Sequence, residues 1–215
     1  MRKTSILALI VCGLWSASLA TAGSASICDA IAFNLVTNCG FESGDFPVGV
    51  TGWTIGGNTA NPGGNYYGVD GFDANSGNFG AYMSQDFFVG TAPVTLSETL
   101  ATAVGTTYAV SFFLEQDTAP TTGYTHAFSA TFGGTTLLSL APTVALPGTV
   151  GSFTQYSYTA TATAADTTVQ FSFENDDRYW SFDDVSVTAT PEPSTAILAG
   201  AALCGLLLLK RRIAG

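Results

Sequence analysis

The stretch Val169 to Val187, VQFSFENDDRYWSFDDVSV, decides the fold. Val169, Phe171 and Phe173 recur with period two, and a second candidate strand covers 182–188. That period sends successive side chains to opposite faces of a half-buried strand. Working outward, Tyr108, Val110, Phe112 and Leu114 alternate with Thr107, Ala109, Ser111 and Phe113, and Phe128, Ala130 and Phe132 repeat the pattern. Gly133-Gly134, between Phe132 and Thr135, predicts a tight hairpin turn. Further candidate strands lie at 31–37, 79–83, 94–100, 135–140 and 153–160, with no long helical stripe anywhere in 30–190. About nine strands in an all-β chain predict a two-sheet β-sandwich of jelly-roll type. The longest irregular stretch, 56–78, is dense in Gly and Asn, and its length marks a functional or disordered loop. We read it as a turn-rich surface loop. Asp70, Asp73 and Asn75 approach the composition of a calcium loop without its spacing.

The two ends carry targeting signals. Arg2 and Lys3 precede the apolar stretch Ile6 to Trp15, and Ala20-Thr21-Ala22 supplies small residues for a signal peptidase, predicting a signal peptide of 1–22 cleaved after Ala22. The other end reads PEPSTAILAGAALCGLLLLKRRIAG: a Pro191-Glu192-Pro193 turn, an apolar run over 196–209, then the basic end 210–212. Fourteen residues of helix span roughly 21 Å, short of the roughly 30 Å hydrocarbon core, so snorkelling of the terminal lysine and arginines or bilayer thinning must help. The cationic end sets the C-terminus in the cytoplasm. The alternative is a buried C-terminal helix, disfavoured by three consecutive cations. This tail, 191–215, resembles the PEP-CTERM sorting domain of Gram-negative bacteria that make extracellular polysaccharide. That resemblance implies an inner-membrane-anchored precursor with a transmembrane helix, recognised at Pro191, Glu192 and Pro193 by an exosortase-type sorting protease. Cleavage would then send the protein to the cell surface or outside. Between the signals, 23–190 has the length of one domain.

Five of the six basic residues fall in the signals, and Arg178 is the one cation left in 23–190, against fifteen carboxylates. A formal charge of about −14 makes nucleic acid and anionic surfaces poor partners. It serves solubility, cation binding, or both. Cys12 leaves with the signal and Cys204 lies in the tail, so Cys28 and Cys39 are the remaining pair and predict a disulfide, worth roughly 3 kcal/mol by loop closure.

The opening NLVTNCGFESGDFPVGVTGWT (Asn34 to Thr54), the closing stretch quoted above, and the intervening SGNFGAYMS and VGTTYAVSFFLEQD resemble carbohydrate-binding modules of the galactose-binding jelly-roll superfamily. The resemblance implies a structural calcium ion where the first and last strands meet, with Glu42 and Asp183 as its ligands. Strand parity places Asp183 on the side of Val185 and Val187, inward, and Asp184 on the opposite side. A second reading of Asp183, as an acceptor of backbone hydrogen bonds, stays equally open. Trp53, Tyr66, Tyr67, Tyr124, Tyr179 and Trp180 are the candidates for stacking on sugar rings, the loop pair Tyr66 and Tyr67 foremost.

Catalysis has little footing in the sequence. His126, the sole histidine, reads as a strand-end residue, and no Gly-x-Ser-x-Gly elbow occurs. Glu98, Glu115, Asp117, Glu174, Asp176 and Asp177 are the carboxylates from which a glycosidase pair would have to come. The leading reading is a non-catalytic, exported module contacting extracellular polysaccharide. The alternatives are a structural or adhesive matrix protein without a small ligand, told apart by the lack of an aromatic-lined patch, and a glycoside hydrolase.

Overall fold

In the computed structural model, the described residues are 25–44, 50–58, 67–84, 92–120, 122–141, 150–176 and 178–191. The signal peptide, nearly all of the sorting tail including Glu192 and Pro193, Asp177 and Tyr66 lie outside them; Pro191 is exposed just beyond the last strand. Ten strands follow one another: β1 (Thr54–Gly57), β2 (Tyr67–Asp70), β3 (Gly80–Met83), β4 (Val94–Ala101), β5 (Thr107–Gln116), β6 (His126–Phe132), β7 (Thr135–Leu140), β8 (Thr154–Thr161), β9 (Asp166–Asn175) and β10 (Trp180–Ala189). They make two antiparallel five-stranded sheets, ordered β1-β4-β9-β6-β7 and β2-β3-β10-β5-β8. The sandwich read from the alternation is present. Gly133 and Gly134, both at positive φ (56° and 79°), turn β6 into β7 as the hairpin requires.

The period-two residues of both sheets meet in one core. Tyr108, Val110, Phe112 and Leu114 of β5, Phe128 and Phe132 of β6, and Val169, Phe171 and Phe173 of β9 are all buried. Phe171 and Phe182 reach across the sheets to a centroid distance of 4.5 Å, and Phe112 meets Phe171 edge-on at 5.1 Å. Such aromatic pairs are worth about 0.5–1.5 kcal/mol beyond their buried area.

Two expectations about the elements fail. Residues 31–37 form no strand: Phe33 takes a positive φ (61°), which breaks the extended run, and turns continue beyond it at Asn38 and Phe41 (50° and 58°). The segment still joins the sheet. The amide of Asn34 accepts from Val187 N (2.9 Å) and donates to Val185 O (3.1 Å), Leu35 N donates to Val187 O, and Val185 N to Cys39 O. The Cys28–Cys39 disulfide, Cα atoms 6.0 Å apart, ties this segment to the short 3-10 turn Ile27–Ala30. Within the presumed long loop, moreover, β2 pairs with β3, so the stretch 56–78 is not continuous coil.

Candidate functional site

The last strand is bent by one residue. Asp183 pairs opposite Phe113, but the register then shifts, and pairing resumes at Ser186 opposite Ser111. Asp184 absorbs the shift with φ 53°, a conformation that aspartate tolerates better than most residues. The bulge overturns the parity argument. Asp183 lies on the face of Phe113 and Ser181, outside the sandwich, while Phe182 and Val187 point into the core. It is nonetheless 0% exposed, because the 71–79 loop folds over it.

That loop is held almost entirely by carboxylates. Asp183 accepts the amides of Asn75 (2.8 Å), Ser76 (3.1 Å) and Asp184 (2.7 Å). Asp184, expected to face away, is 2% exposed and accepts Asn75 Nδ2 (2.7 Å), Ser76 Oγ (2.8 Å), Cys28 N (3.4 Å) and Ser26 Oγ. Glu42 accepts the amides of Asn78 (2.8 Å) and Phe79 (3.1 Å). Between these clamps Gly77, at φ 73°, leaves no room for a side chain, since a Cβ there would sit 2.0 Å from Glu42 Oε1. Glu42 and Asp183 therefore grip neighbouring parts of one loop.

Burial, and then the adjacent Asp184, push the Asp183 carboxyl up to about 8, against the pull of its three amide donors. In charge the site fits a cation: two buried carboxylates side by side, in a domain whose single cationic side chain, Arg178, is exposed. Carboxylates alone do not complete it. Among the described residues, the one triad of acid, thiol or imidazole atoms within 4.8 Å is Cys28, Asp29 and Cys39, whose sulfurs are closed in the disulfide. A calcium ion at Asp183 would draw further ligands from backbone carbonyls.

The aromatic candidates separate by burial. Trp53 (7% exposed) stacks on Phe41 and meets Phe171, and Trp180 (0%) packs on Phe128 and donates Nε1 to Glu174 O. Both belong to the core, as large apolar rings in a thin sandwich must, and neither has a face for a sugar. Tyr67 is half-buried against the core from the edge strand β2. Tyr124 is 44% exposed in the turn before β6, and Tyr179 stands edge-on to Tyr82 at 5.4 Å.

Tyr82 was not among the sequence candidates. Its signal was available, because period two puts it opposite in sense to the buried Ala81 and Met83. It lies in a register row Gly68, Tyr82, Ser181, Glu115 across four strands, and a Cβ on Gly68 would collide with its hydroxyl at 2.4 Å. Asp73 accepts Ser181 Oγ beside this row; burial, then Asp70 and Asp117, raise its carboxyl to about 6. The Tyr82 hydroxyl is shifted upward by burial and by Asp70.

On the other sheet, the outward row Gly56, Thr95, Ser172, Ser129, Ser139 crosses all five strands with only small or hydroxyl-bearing residues. A groove of about 220 Å³ opens there, lined by Pro93, Ala127, Phe128, Ser129, Ser139, Leu140, Ala141, Ser172 and Glu174. Burial, and then Asp176, raise the Glu174 carboxyl. Glu174 is the one carboxylate among these lining residues, whereas glycoside hydrolysis uses two. His126, buried at the first position of β6, is not among the residues lining this groove.

Three solved structures place the architecture. TmCBM61 in complex with β-1,4-galactotriose aligns with 73% of this chain and 99% of its own at 18% identity and a TM-score of 0.51. The fold is the jelly roll of carbohydrate-binding modules. The CBM22-1 and GH10 modules of Clostridium thermocellum xylanase 10B, complexed with xylohexaose, align at 16% identity and a TM-score of 0.52 over 75% of this chain and 29% of that one. A cyclase from Fischerella sp. TAU aligns at 18% identity and a TM-score of 0.50, covering 73% of this chain and 96% of its own. At these identities the likeness extends to the fold alone, which carries different activities. No protein-family model and no curated protein sequence matches the chain.

Proposed function

We propose that the protein is a non-catalytic module that contacts extracellular polysaccharide through the outer face of the β1-β4-β9-β6-β7 sheet. The observation that carries this reading is the groove in which Ser172, Ser129 and Ser139, aligned across three neighbouring strands, flank Glu174. Hydroxyls and a carboxylate in a shallow cleft match the hydrogen-bonding needs of sugar hydroxyls. Its fold likeness to sugar-binding modules supports the same reading. In this proposal the chain is exported through its 1–22 signal, held in the inner membrane by its 191–215 tail, and released by an exosortase-type protease. Calcium at Asp183, Asp184 and Glu42 would hold the 71–79 loop. The test is a glycan array with the 23–190 domain, followed by titration of any hit against Glu174→Ala. Binding that falls at least about tenfold in the variant, the loss of roughly one charge-assisted hydrogen bond, supports the site; unchanged affinity refutes it.

A second reading, a structural or adhesive matrix protein without a small ligand, has its own observation. The groove offers no exposed aromatic face among its lining residues, and stacking is a large part of sugar affinity. The half-exposed Tyr82 lies on the other sheet, with Tyr179, just before β10, edge-on beside it. An array without hits, together with self-assembly of the domain, selects this reading.

A further inference from the structure

Charge is unevenly spread along the chain. Residues 118–165 contain no Asp, Glu, Lys or Arg, although the whole chain carries sixteen carboxylates. This run builds β6, β7 and β8. In space they share one flank: β6 and β7 end one sheet, β8 ends the other, and β7 touches β8.

Four strands are sheet edges, and folded proteins blunt such edges by shortness, charge, proline or bulges. β1 and β2 are four residues long, and β2 ends in Asp70. β7 is kinked by a register shift in its pairing with β6 between Ala130 and Thr131. β8 has none of these devices. It runs eight residues, TQYSYTAT, in unbroken register with β5, exposing Gln155, Ser157, Thr159 and Thr161 on one side, with half-buried Tyr156 and Tyr158 on the other. Among the described residues no strand pairs with its outer edge over 155–161.

We propose that β8 is a self-association edge, at which two copies pair antiparallel about a two-fold axis and join their five-stranded sheets into one continuous sheet. A second copy is the partner that the charge pattern fits. Copies carrying about −14 repel wherever their carboxylates meet, and an axis through the uncharged flank keeps the acidic flanks outermost. A strongly charged partner finds no counter-charge on β8. Threonine and serine hydroxyls of the two strands face one another across such a pair, a combination that stabilises antiparallel strands.

Sedimentation equilibrium of the 23–190 domain tests the proposal; this segment contains all ten strands, the core and the disulfide. A reversible dimer is expected that strengthens with ionic strength, because salt screens the repulsion between copies. Ser157→Lys with Thr159→Lys, both at exposed positions, should abolish the dimer without changing circular dichroism or thermal unfolding; Thr54→Lys on the opposite edge should leave it intact. A monomer at every concentration and salt, a dimer that survives the two lysines, or one that weakens with salt overturns the proposal. So does a monomer that takes up neutral polysaccharide in a lysine-sensitive manner, which would assign the edge to a glycan.

Discussion

Asp184 shows how one residue redirects a site. Its left-handed backbone moves Asp183 from the core to the outer face and brings both carboxylates onto the loop they hold. If calcium binds here, chelation should lower the melting temperature of the domain, since an ion bound only by the folded state stabilises it by mass action. Both Asp183→Ala and Asp184→Ala should remove that dependence, measured by scanning calorimetry with and without chelator; simple parity would have exempted Asp184. The calcium-free protein has a pH signature of its own. The Asp183 carboxyl is raised from 3.8 to about 8, so between those values the folded chain keeps a proton that the unfolded chain has released. Stability should therefore fall as pH rises across this window, and Asp73, raised to about 6, adds to the fall in the lower half. Asp183→Asn should flatten most of the slope in urea unfolding at a series of pH values. Gln116 offers the opposite kind of test. Among the described residues neither polar atom of its fully buried amide has a hydrogen-bond partner, so Gln116→Leu should stabilise the domain by about 1–2 kcal/mol in the same assay.

At the scale of elements, what could be read from the chain was what repeats. β5, β6 and β9 were legible because their faces alternate without interruption, and the hairpin at Gly133-Gly134 because only glycine accepts two successive positive φ values at low cost. The bulge in β10 was not legible. One extra residue inverts the faces on either side of it, yet Val185 and Val187, two apart, still resemble an ordinary strand in one dimension. Segment 31–37 reads as a strand for a related reason: Asn34 supplies through its side chain the hydrogen bonds a strand would supply through its backbone. Tyr82 does not stand out in one dimension because its neighbours Gly68, Ser181 and Glu115 come from strands far apart in sequence. The disulfide pair needed only counting. Cys28→Ser with Cys39→Ser should cost roughly 3 kcal/mol, read as a shift in the denaturation midpoint. The loss should centre on the N-terminal turns, where amide exchange will accelerate first.

For the whole molecule, the sorting reading predicts a change of address. Deleting 191–215 should leave the domain as a soluble periplasmic protein, while the intact chain reaches the surface trimmed near Pro193. Fractionation with mass spectrometry of the C-terminus decides the matter, and a surface form that retains Arg212 would refute the sorting proposal. The domain itself should fold equally well in both cases, since its core closes within the described strands.

The position of β10 has a mechanical consequence. The strand lies in the middle of its sheet, between β3 and β5, and leads directly into Pro191. A tether pulling there loads β10 along its own axis, so the rungs to β5 on one side and to β3 and the 35–39 segment on the other are strained together in shear. An edge strand such as β7 would be peeled rung by rung at far lower force. If the domain is tethered there, as the sorting proposal has it, it is attached through a central strand, and its lifetime under drag would be set by the unfolding rate of the whole sandwich rather than by fraying of its end.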